Sequence, residues 1–295
     1  MLDDLLTEAS YPGSQGLDSL PTSDILAIIN AADAEIAGAV ALEIGRIAAA
    51  VDAIVSALAV GGHLLYVGAG TSGRLGVLDA SECPPTFNVS PQLVQGIIAG
   101  GERALRSSVE AVEDSPEAGV ADLIAAGFTT ADVVVGIAAS GRTPYVLGAV
   151  SHARKMGART CGISCTPQSE LSAAVDFPIE PKPGPEVIAG STRMRAGTAT
   201  KMVLNMISTA VMIRMGYVFG NLMVNVQPTN QKLTARACRI IAEGTGVTAA
   251  RAAELLVAAG NSVRTAIVME KKKISRADAD RLLASSGGRI REALV

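Results

Sequence analysis

The segment Leu64-Leu65-Tyr66-Val67-Gly68-Ala69-Gly70-Thr71-Ser72-Gly73-Arg74 joins a short apolar run to a turn that is rich in glycine and hydroxyl side chains. A short apolar run bounded by glycine is typical of a buried strand. A second stretch repeats the pattern, because Val133-Val134-Val135-Gly136-Ile137 leads into Ser140-Gly141-Arg142-Thr143-Pro144. Two turns of the same chemistry at equivalent positions predict one pocket that binds an anionic ligand.

Short β-branched runs alternate with helical patterns through the middle of the chain. The predicted strands are 63–68, 93–99, 132–138, 159–164 and 176–180, and helical patterns lie near 73–81, 103–125, 144–156 and 168–174. This alternation predicts a three-layer α/β/α sandwich, a parallel five-stranded sheet with helices on both faces. Right-handed crossovers place every strand-to-helix loop at the same edge of such a sheet. Both glycine-containing turns should therefore border one crevice at the carboxyl ends of the strands.

Helical sequence flanks this central part on both sides. Residues 22–60 are rich in Ala and Ile, and a long apolar helix is predicted over 191–215. Shorter helical patterns follow from about residue 240, with Ser275 and Asp278 forming a capping box. We divide the chain into an N-terminal helical segment, a central α/β domain and a small C-terminal helical module. Their bounds are 1–50, 51–220 and 221–295.

The composition favours a folded cytoplasmic protein. The 295 residues are 49% apolar and 18% charged, which is enough apolar sequence for a large core. A net charge of −3 argues against nucleic acid or an anionic membrane as a general partner. The acidic N-terminus has no signal-peptide pattern, and the apolar segment 202–213 is expected to be too short and too polar to span a bilayer.

No cluster in the sequence has the spacing of metal ligands, and we expect neither a metal nor a cofactor. The four cysteines fit no zinc or redox pattern, and Cys161 and Cys165 are interpreted as buried, reduced thiols. His63 begins a predicted strand, and His152 lies well along the helix after the second turn. Both histidines are interpreted as structural or solvated.

The second turn has the features of a phosphate site. Thr143 followed by Pro144 predicts a helix N-cap with proline at the first helical position. The unpaired N–H groups of that helix start, together with the hydroxyls of Ser140 and Thr143, would bind phosphate, and Arg142 would add charge. Helix capping alone would explain the same residues, so the turn by itself leaves both interpretations open.

The first turn matches G-x-G-x-x-G after a strand, which is the pattern of dinucleotide binding. That pattern also requires an acidic residue about 20 positions later, and Glu102 lies too far along the chain to fit. Thr71 and Ser72 instead add two hydroxyls to the same crevice, and a third polar helix start is predicted at Ser191. Three turns lined by Ser and Thr favour a phosphorylated, polyhydroxylated ligand over a dinucleotide.

Longer blocks of sequence resemble the N-acetylmuramic acid 6-phosphate etherase family. The first such block starts at the Gly68 turn and continues into Asp79-Ala80-Ser81-Glu82-Cys83-Pro84-Pro85-Thr86. Further similar blocks are 136–145, 190–198, 219–224 and 229–233. The resemblance covers nearly the whole chain and implies a sugar isomerase (SIS) fold for the central domain, usually dimeric. Asn225 is a departure, because the family pattern would have Asp at this position.

The resemblance also implies a site and a reaction. It implies that Glu82 and Glu113 are the catalytic carboxylates, with Glu113 as the base at carbon 2 and Glu82 as the acid for lactate departure. Elimination of lactate, followed by addition of water, would convert N-acetylmuramic acid 6-phosphate into N-acetylglucosamine 6-phosphate and D-lactate, a step in recycling cell-wall amino sugars. The expected substrate contacts are Thr71, Ser72, Ser140, Arg142, Thr143 and Ser191.

Other functions stay open at this point. A phosphosugar-sensing regulator of the same fold would keep the hydroxyl-lined turns without needing both glutamates, and an aldose–ketose isomerase is a second alternative. A dinucleotide oxidoreductase is a more distant one. The sequence also leaves open whether Glu82 and Glu113 meet within one subunit or across a dimer, since Glu82 is expected roughly 15 Å along its helix from the first turn.

Overall fold

The computed structural model describes residues 9–107, 109 and 112–295. Contacts divide the chain into two compact units. The first unit comprises Met1–Ser81 and Pro91–Ser208, and the second comprises Glu82–Ser90 and Thr209–Val295. Two of the three boundaries between the units fall within long helices, α4 (Gly70–Phe87) and α9 (Arg195–Arg214), and the third falls between Ser90 and Pro91.

A parallel sheet of five strands forms the centre of the first unit, counted over the described residues. The strands are β1 (Leu64–Gly68), β2 (Val94–Ile98), β3 (Val133–Ile137), β4 (Arg159–Ile163) and β5 (Phe177–Ile179), in the spatial order β2-β1-β3-β4-β5. Every residue of β1 and β3 is buried, as expected for central strands that are covered on both faces. The register pairs Gly68 with Ile137, so β1 and β3 end side by side.

Helices cover both faces of this sheet. The remaining helices of the first unit are α1 (Thr22–Ala34), α2 (Ile36–Ala41), α3 (Ile44–Leu58), α5 (Gly101–Ala104), α6 (Pro116–Ala125), α7 (Pro144–Lys155) and α8 (Glu170–Ala174). Leu65 and Val67 point to one face of the sheet, where they share an apolar cluster with side chains of α6, α7 and α8. Tyr66 points to the opposite face, where it contacts α4. The three-layer α/β/α sandwich with a five-stranded parallel sheet is confirmed.

The stretch predicted as one helix over 103–125 is divided in the structure. It contains α5, a 3-10 turn over Val112–Asp114, and α6. Ser115 begins α6 as its N-cap, with its hydroxyl accepting from the Ala118 N–H, and Pro116 is the first helical residue. A proline interrupts a helix that reaches it from the N-terminal side, because it has no N–H to donate. Glu113 therefore lies in a 3-10 turn and not on a helix.

Two other helical predictions are also refined. The stretch 22–60 forms three helices, and the chain turns at Glu43, where a buried carboxylate accepts from the Glu180 N–H at 2.9 Å. The long helix predicted over 191–215 begins later, at Arg195. Ser191 consequently lies in the turn before this helix.

The second unit is mostly helical. Its helices are α10 (Gln231–Thr245), α11 (Ala249–Ala258), α12 (Val263–Lys272), α13 (Arg276–Ser285) and α14 (Ile290–Ala293), and β6 (Val218–Phe219) pairs antiparallel with β7 (Leu222–Met223). Ile240, Leu255 and Ile267 are among the buried residues that form its own apolar core. Ser275 caps α13 by accepting from the Asp278 N–H, as predicted.

The long apolar helix α9 packs in the core of the protein. By length and composition alone, α9 is long and apolar enough to cross a membrane, with a mean hydropathy of 1.2 over its apolar window. The helix is longer than the apolar segment 202–213 on which the sequence expectation was based. Two bent helix pairs would qualify only if each formed one span. Side chains of α9 such as Val203 and Ile207 are fully buried inside the protein, and Asn205 donates to a carboxylate of α4.

The cysteine interpretation is also confirmed. Cys161 and Cys165 are buried, and none of the cysteines in the described part of the chain forms a disulfide. Burial raises the pKa of each of these two thiols to about 12. The neutral thiol is therefore the stable form at neutral pH, and these cysteines are unsuited to act as nucleophiles.

Candidate active site

The two hydroxyl-lined turns flank the point where the strand order of the sheet reverses. β1 has β2 on one side and β3 on the other, so the chain crosses over in opposite directions from β1. Ligands of open α/β sheets bind at such a point, beyond the carboxyl ends of the strands. Gly68 and Ile137 are register partners, so the two turns leave neighbouring strands about 5 Å apart. The turns therefore share one edge of the sheet, as predicted.

Close packing determines the shape of the first turn. The Gly73 N–H donates to the Ala69 carbonyl at 3.1 Å, within the first turn of α4. A Cβ atom on Gly73 would lie 2.6 Å from Cγ1 of Ile98 and 2.8 Å from the Gly68 carbonyl oxygen, so a larger residue does not fit. Thr71 and Ser72 lie in this first helical turn, where the backbone N–H groups have no helical acceptor. Both residues are half-buried.

The second turn also depends on a glycine. Gly141 has φ +68°, and a Cβ atom on it would collide with the side chain of Ser169. The Gly141 N–H donates to the Ala138 carbonyl at 2.9 Å, which closes the turn directly after β3. Pro144 is the first residue of α7, as predicted.

The hydroxyl of Thr143 is not used to cap its helix. Among the described residues, the Thr143 side chain makes no capping hydrogen bond to α7. Ser115 and Ser169, by contrast, cap α6 and α8 with their hydroxyls. The Ser140 hydroxyl accepts from the Arg142 N–H at 3.3 Å, which is a long hydrogen bond. Helix capping therefore does not account for Thr143.

The Arg142 side chain is exposed at the surface. Its Nε lies 4.0 Å from Oε1 of Glu170, the first residue of α8. Exposed ion pairs of this length contribute little to stability. The guanidinium is therefore held only weakly in its present position.

The third predicted turn differs from the other two. The buried carboxylate of Glu186 accepts from the backbone N–H groups of Arg195 and Ala196, both at 2.9 Å. The protein's own carboxylate thus binds the start of α9, and these two N–H groups are not open to a ligand. The prediction of a polar helix start at Ser191 was wrong in this respect. Ser191 is half-buried, and its N–H donates to the Ile188 carbonyl.

A buried arginine fixes this helix start from the other side. Arg195 is only 2% exposed, and its Nη2 donates to Oε2 of Glu35 at 2.6 Å. Its Nη1 donates to the Pro185 carbonyl, and the guanidinium lies 5.2 Å from the centre of the Tyr11 ring. Sequence analysis did not single out Glu186 or Arg195, because their burial depends on residues that are distant in the chain.

The start of α9 nevertheless lies close to the first turn. A Cβ atom on Gly197 would be 3.7 Å from Cγ2 of Thr71. The Cys165 thiol, just beyond β4, lies 3.7 Å from the Ala196 carbonyl. The first turn, the end of β4 and the start of α9 therefore gather at one edge of the sheet.

Glu113 lies at the same edge of the sheet within the first unit. Its neighbour Val112 packs against the apolar cluster that contains Tyr145 of α7. The turn of Glu113 precedes α6, and a helix between parallel strands begins at their carboxyl edge. The Glu113 carboxylate is exposed.

Glu82 is an exposed residue of α4 that belongs to the second unit. In the same unit, the buried side chain of Asn225 donates from Nδ2 to the Phe87 carbonyl at 2.8 Å, at the end of α4. An ionised Asp has no proton to donate there. Asn225, which replaces the Asp of the family pattern, therefore forms a hydrogen bond that an ionised Asp could not form.

A cleft of about 870 Å³ lies along β2, with Gln95, Glu102 and Val112 in its wall. The residues predicted to bind substrate, all of which the structure describes, are not part of this wall. Within the described part of the chain, no group of three or more His, Cys, Asp or Glu side chains is arranged to hold a metal ion.

Comparisons with known proteins first define the class. A model of the glucokinase regulatory protein N-terminal SIS domain matches residues 46–154. Two solved structures have a TM-score of 0.50: a putative phosphosugar isomerase involved in capsule formation from Bacteroides fragilis and a phosphoheptose isomerase from Francisella tularensis. They are 19% and 18% identical, and the match covers 66% and 65% of this chain and 93% and 98% of theirs. The protein has the sugar isomerase fold.

Relatives with higher identity define the family. N-acetylmuramic acid 6-phosphate etherases from Escherichia fergusonii and Streptomyces coelicolor are each 51% identical to this chain. The matches cover 99% and 100% of this chain and 98% and 94% of theirs. The chain belongs to the N-acetylmuramic acid 6-phosphate etherase family, as the sequence blocks indicated.

Proposed function

We propose that this protein is a carbon–oxygen lyase that cleaves the D-lactyl ether of N-acetylmuramic acid 6-phosphate, giving N-acetylglucosamine 6-phosphate and D-lactate. The observation that carries the proposal is the 51% identity, over nearly the full chain, to proteins named for this activity. The position of two hydroxyl-lined turns at the switch point of a sugar isomerase fold supports a phosphosugar substrate.

The reaction needs two proton transfers before water enters. In the open-chain sugar, the aldehyde at carbon 1 makes the proton on carbon 2 acidic. A base removes that proton, the carbon 3–oxygen bond breaks, and an acid protonates the departing lactate oxygen. Water then adds to carbon 3 of the unsaturated aldehyde: a base takes one proton from the water as its oxygen bonds to carbon 3, and an acid returns a proton to carbon 2, which leaves a hydroxyl on carbon 3.

We assign these transfers to Glu113 and Glu82. Glu113 is the base at carbon 2, and Glu82 is the acid that protonates the lactate oxygen. For the addition of water the two carboxylates exchange roles: Glu82, now ionised, takes a proton from the water, and Glu113, now protonated, returns a proton to carbon 2. Each positioned proton transfer typically contributes about 10² to 10⁴ in rate.

The phosphate of the substrate would bind at the start of α7. Thr143 and Ser140 supply hydroxyls, and the first N–H groups of a 12-residue helix with its positive dipole end supply further donors. Thr71 and Ser72 would bind sugar or phosphate oxygens from the neighbouring turn. Ser191 and Arg142 complete the proposed set of contacts, with Arg142 leaving its weak pair with Glu170.

We further propose that the protein works as a cytoplasmic homodimer that recycles cell-wall amino sugars. Glu82 and Glu113 belong to different compact units of the chain. In the proposed dimer, one subunit supplies Glu82 and the other supplies Glu113 to each active site. Homo-oligomers with two-fold symmetry repeat such a composite site twice.

An assay of D-lactate tests the function directly. Purified protein incubated with N-acetylmuramic acid 6-phosphate should release D-lactate and N-acetylglucosamine 6-phosphate in equal amounts. Glu82→Gln should abolish lactate release while exchange of deuterium into carbon 2 stays measurable. Release of lactate without exchange in this variant would reverse the two roles.

Mixing two inactive variants tests the composite site. Glu82→Gln and Glu113→Gln subunits, unfolded and refolded together, should recover about a quarter of wild-type activity, because half the dimers are mixed and each has one intact site. No recovery in verified mixed dimers would place both carboxylates in one subunit. Each variant refolded alone is the control.

A phosphosugar-sensing regulator is the second candidate function. The match of residues 46–154 to a domain of a regulatory protein favours it. Such a protein would bind N-acetylmuramic acid 6-phosphate without releasing D-lactate. Saturable binding of the phosphosugar without release of D-lactate would therefore contradict the etherase activity and support the regulator.

A further inference from the structure

A buried aspartate anchors the helix that carries Glu82. Asp79 lies on α4 and is 6% exposed. Its Oδ2 accepts from the Tyr66 hydroxyl of β1 at 3.1 Å. Its Oδ1 accepts from Nδ2 of Asn205 at 2.6 Å and from the Ser208 hydroxyl at 3.1 Å. One side chain thus ties α4 to the sheet and to α9.

Stability alone does not explain a carboxylate at this position. Burial raises the pKa of Asp79, because the ionised carboxylate is costly to remove from water. The hydrogen bonds from Asn205, Ser208 and Tyr66 act against this rise. A well-packed apolar side chain commonly serves a buried position as well as a charge does. The carboxylate instead provides directional bonds that fix the rotation of a helix.

The end of α4 contains two prolines. Pro84 and Pro85 lie inside this helix and have no backbone N–H, so they make no helical hydrogen bonds to the carbonyls of Ala80 and Ser81. The part of α4 around Glu82 therefore has fewer internal bonds than an ordinary helix. Residues three apart on a helix are neighbours on its surface, and Asp79 precedes Glu82 by three residues.

We propose that Asp79 is a positioning residue for the etherase reaction, which fixes α4 about its axis and so sets the direction of the Glu82 carboxylate. The inference rests on the proposed function, in which Glu82 protonates the departing lactate oxygen. Asp79 does not contact substrate in this proposal. It acts through the helix, so its loss should lower kcat much more than it changes KM.

Two substitutions at the same position separate the hydrogen bonds from the charge. Asp79→Ala removes every acceptor, and we expect kcat to fall about 10–100-fold, because small displacements of a reacting group have effects of this size. KM should stay within about twofold. Asp79→Asn keeps the bonds, since its amide oxygen accepts from Asn205 and Ser208, and the Tyr66 hydroxyl accepts from its amide nitrogen. This variant should retain kcat within about fivefold.

Asp132 provides a matched control at the opposite edge of the sheet. Its carboxylate is also buried and accepts from the N–H groups of His63 and Thr129, at the amino end of β3. Asp132→Ala should lower the Tm without lowering kcat at a temperature where the protein stays folded. An equal loss of kcat in both variants, at equal loss of Tm, would show that Asp79 is only structural.

Two further measurements keep the inference testable. If Asp79→Ala does not fold, Asn205→Ala with Ser208→Ala removes both donors to Oδ1, and kcat should fall by about fivefold or more. Hydrogen–deuterium exchange over 78–87 should become faster in these variants and not in Asp79→Asn. Unchanged exchange and kcat would overturn the inference. A wild-type protein that releases no D-lactate would instead overturn the proposed function, and exchange would still report whether Asp79 anchors α4.

Discussion

The starts of α7 and α9 lie at the same edge of the sheet but are filled differently. At α9, the buried carboxylate of Glu186 accepts from two backbone N–H groups. At α7, the Thr143 hydroxyl makes no capping bond among the described residues. A helix start is an anion site only where the protein has not already supplied an anion. The α7 start is therefore the better candidate to bind a phosphate, and the α9 start is a structural junction.

The largest effect is expected when the Glu186 carboxylate is removed from the start of α9. Glu186→Ala leaves two buried N–H groups without their acceptor, and each such loss costs about 1–3 kcal/mol. We expect the free energy of unfolding to fall by about 2–5 kcal/mol, measured by urea denaturation.

Glu170→Ala is the matched control for this substitution. Glu170 also lies in the first turn of a helix, but it is exposed and its pair with Arg142 is 4.0 Å long. Its loss should change the free energy of unfolding by about 0.5 kcal/mol or less. A similarly small change for Glu186→Ala would mean that the α9 start does not need its internal anion.

An intermediate effect, on binding only, is expected at the open helix start. Ser140→Ala combined with Thr143→Ala removes two hydroxyls that we propose bind phosphate. A hydrogen bond to a charged group contributes about 1.5–3 kcal/mol, so a net loss equal to one such bond should raise KM about 10–100-fold. The free energy of unfolding should change little, because Thr143 does not cap α7.

Ser275→Ala supplies the contrast for that double variant. Ser275 caps α13 with its hydroxyl, so its loss should cost about 1 kcal/mol of stability. KM should stay at the wild-type value. An unchanged KM in the Ser140 and Thr143 variant would remove these hydroxyls from the phosphate site.

The smallest effect is expected at Tyr11, whose ring contacts the Arg195 side chain at the start of α9. Tyr11→Leu removes an aromatic ring that lies 5.2 Å from the guanidinium of Arg195. A partly desolvated cation–π contact of this kind contributes about 0.5–2 kcal/mol. The free energy of unfolding should fall by that amount with no change in KM, and a change in KM instead would connect Tyr11 to substrate binding.

The sequence predicted those features that follow from local pattern and topology. Alternating strands and helices were enough to place the turns after Gly68 and Ile137 at one edge, because parallel strands with right-handed crossovers leave no other arrangement. Pro144 after Thr143 was enough to locate the start of α7. The break before α6 was missed, although Ser115 and Pro116 signal it, because the apolar pattern on both sides continues through them.

Contacts between distant segments were not predictable in this way. Glu186 reaches the start of α9 from an irregular connection, and no periodicity marks it as a cap. Asp79 meets Asn205 only because α4 and α9 pack side by side in the fold. Asn225 bonds to Phe87 across 138 residues of chain. The residue type shows that such a side chain can form a hydrogen bond, but only the folded structure shows which distant residue is its partner.

The central claim, that a phosphate binds at the start of α7, has a direct test in the affinity for N-acetylglucosamine 6-phosphate relative to N-acetylglucosamine. Titration calorimetry of the wild-type protein should show much tighter binding of the phosphorylated sugar. In the Ser140→Ala, Thr143→Ala variant, we expect this preference to shrink about 10-fold or more. The same preference in both proteins would contradict the claim and would place the phosphate elsewhere on the protein.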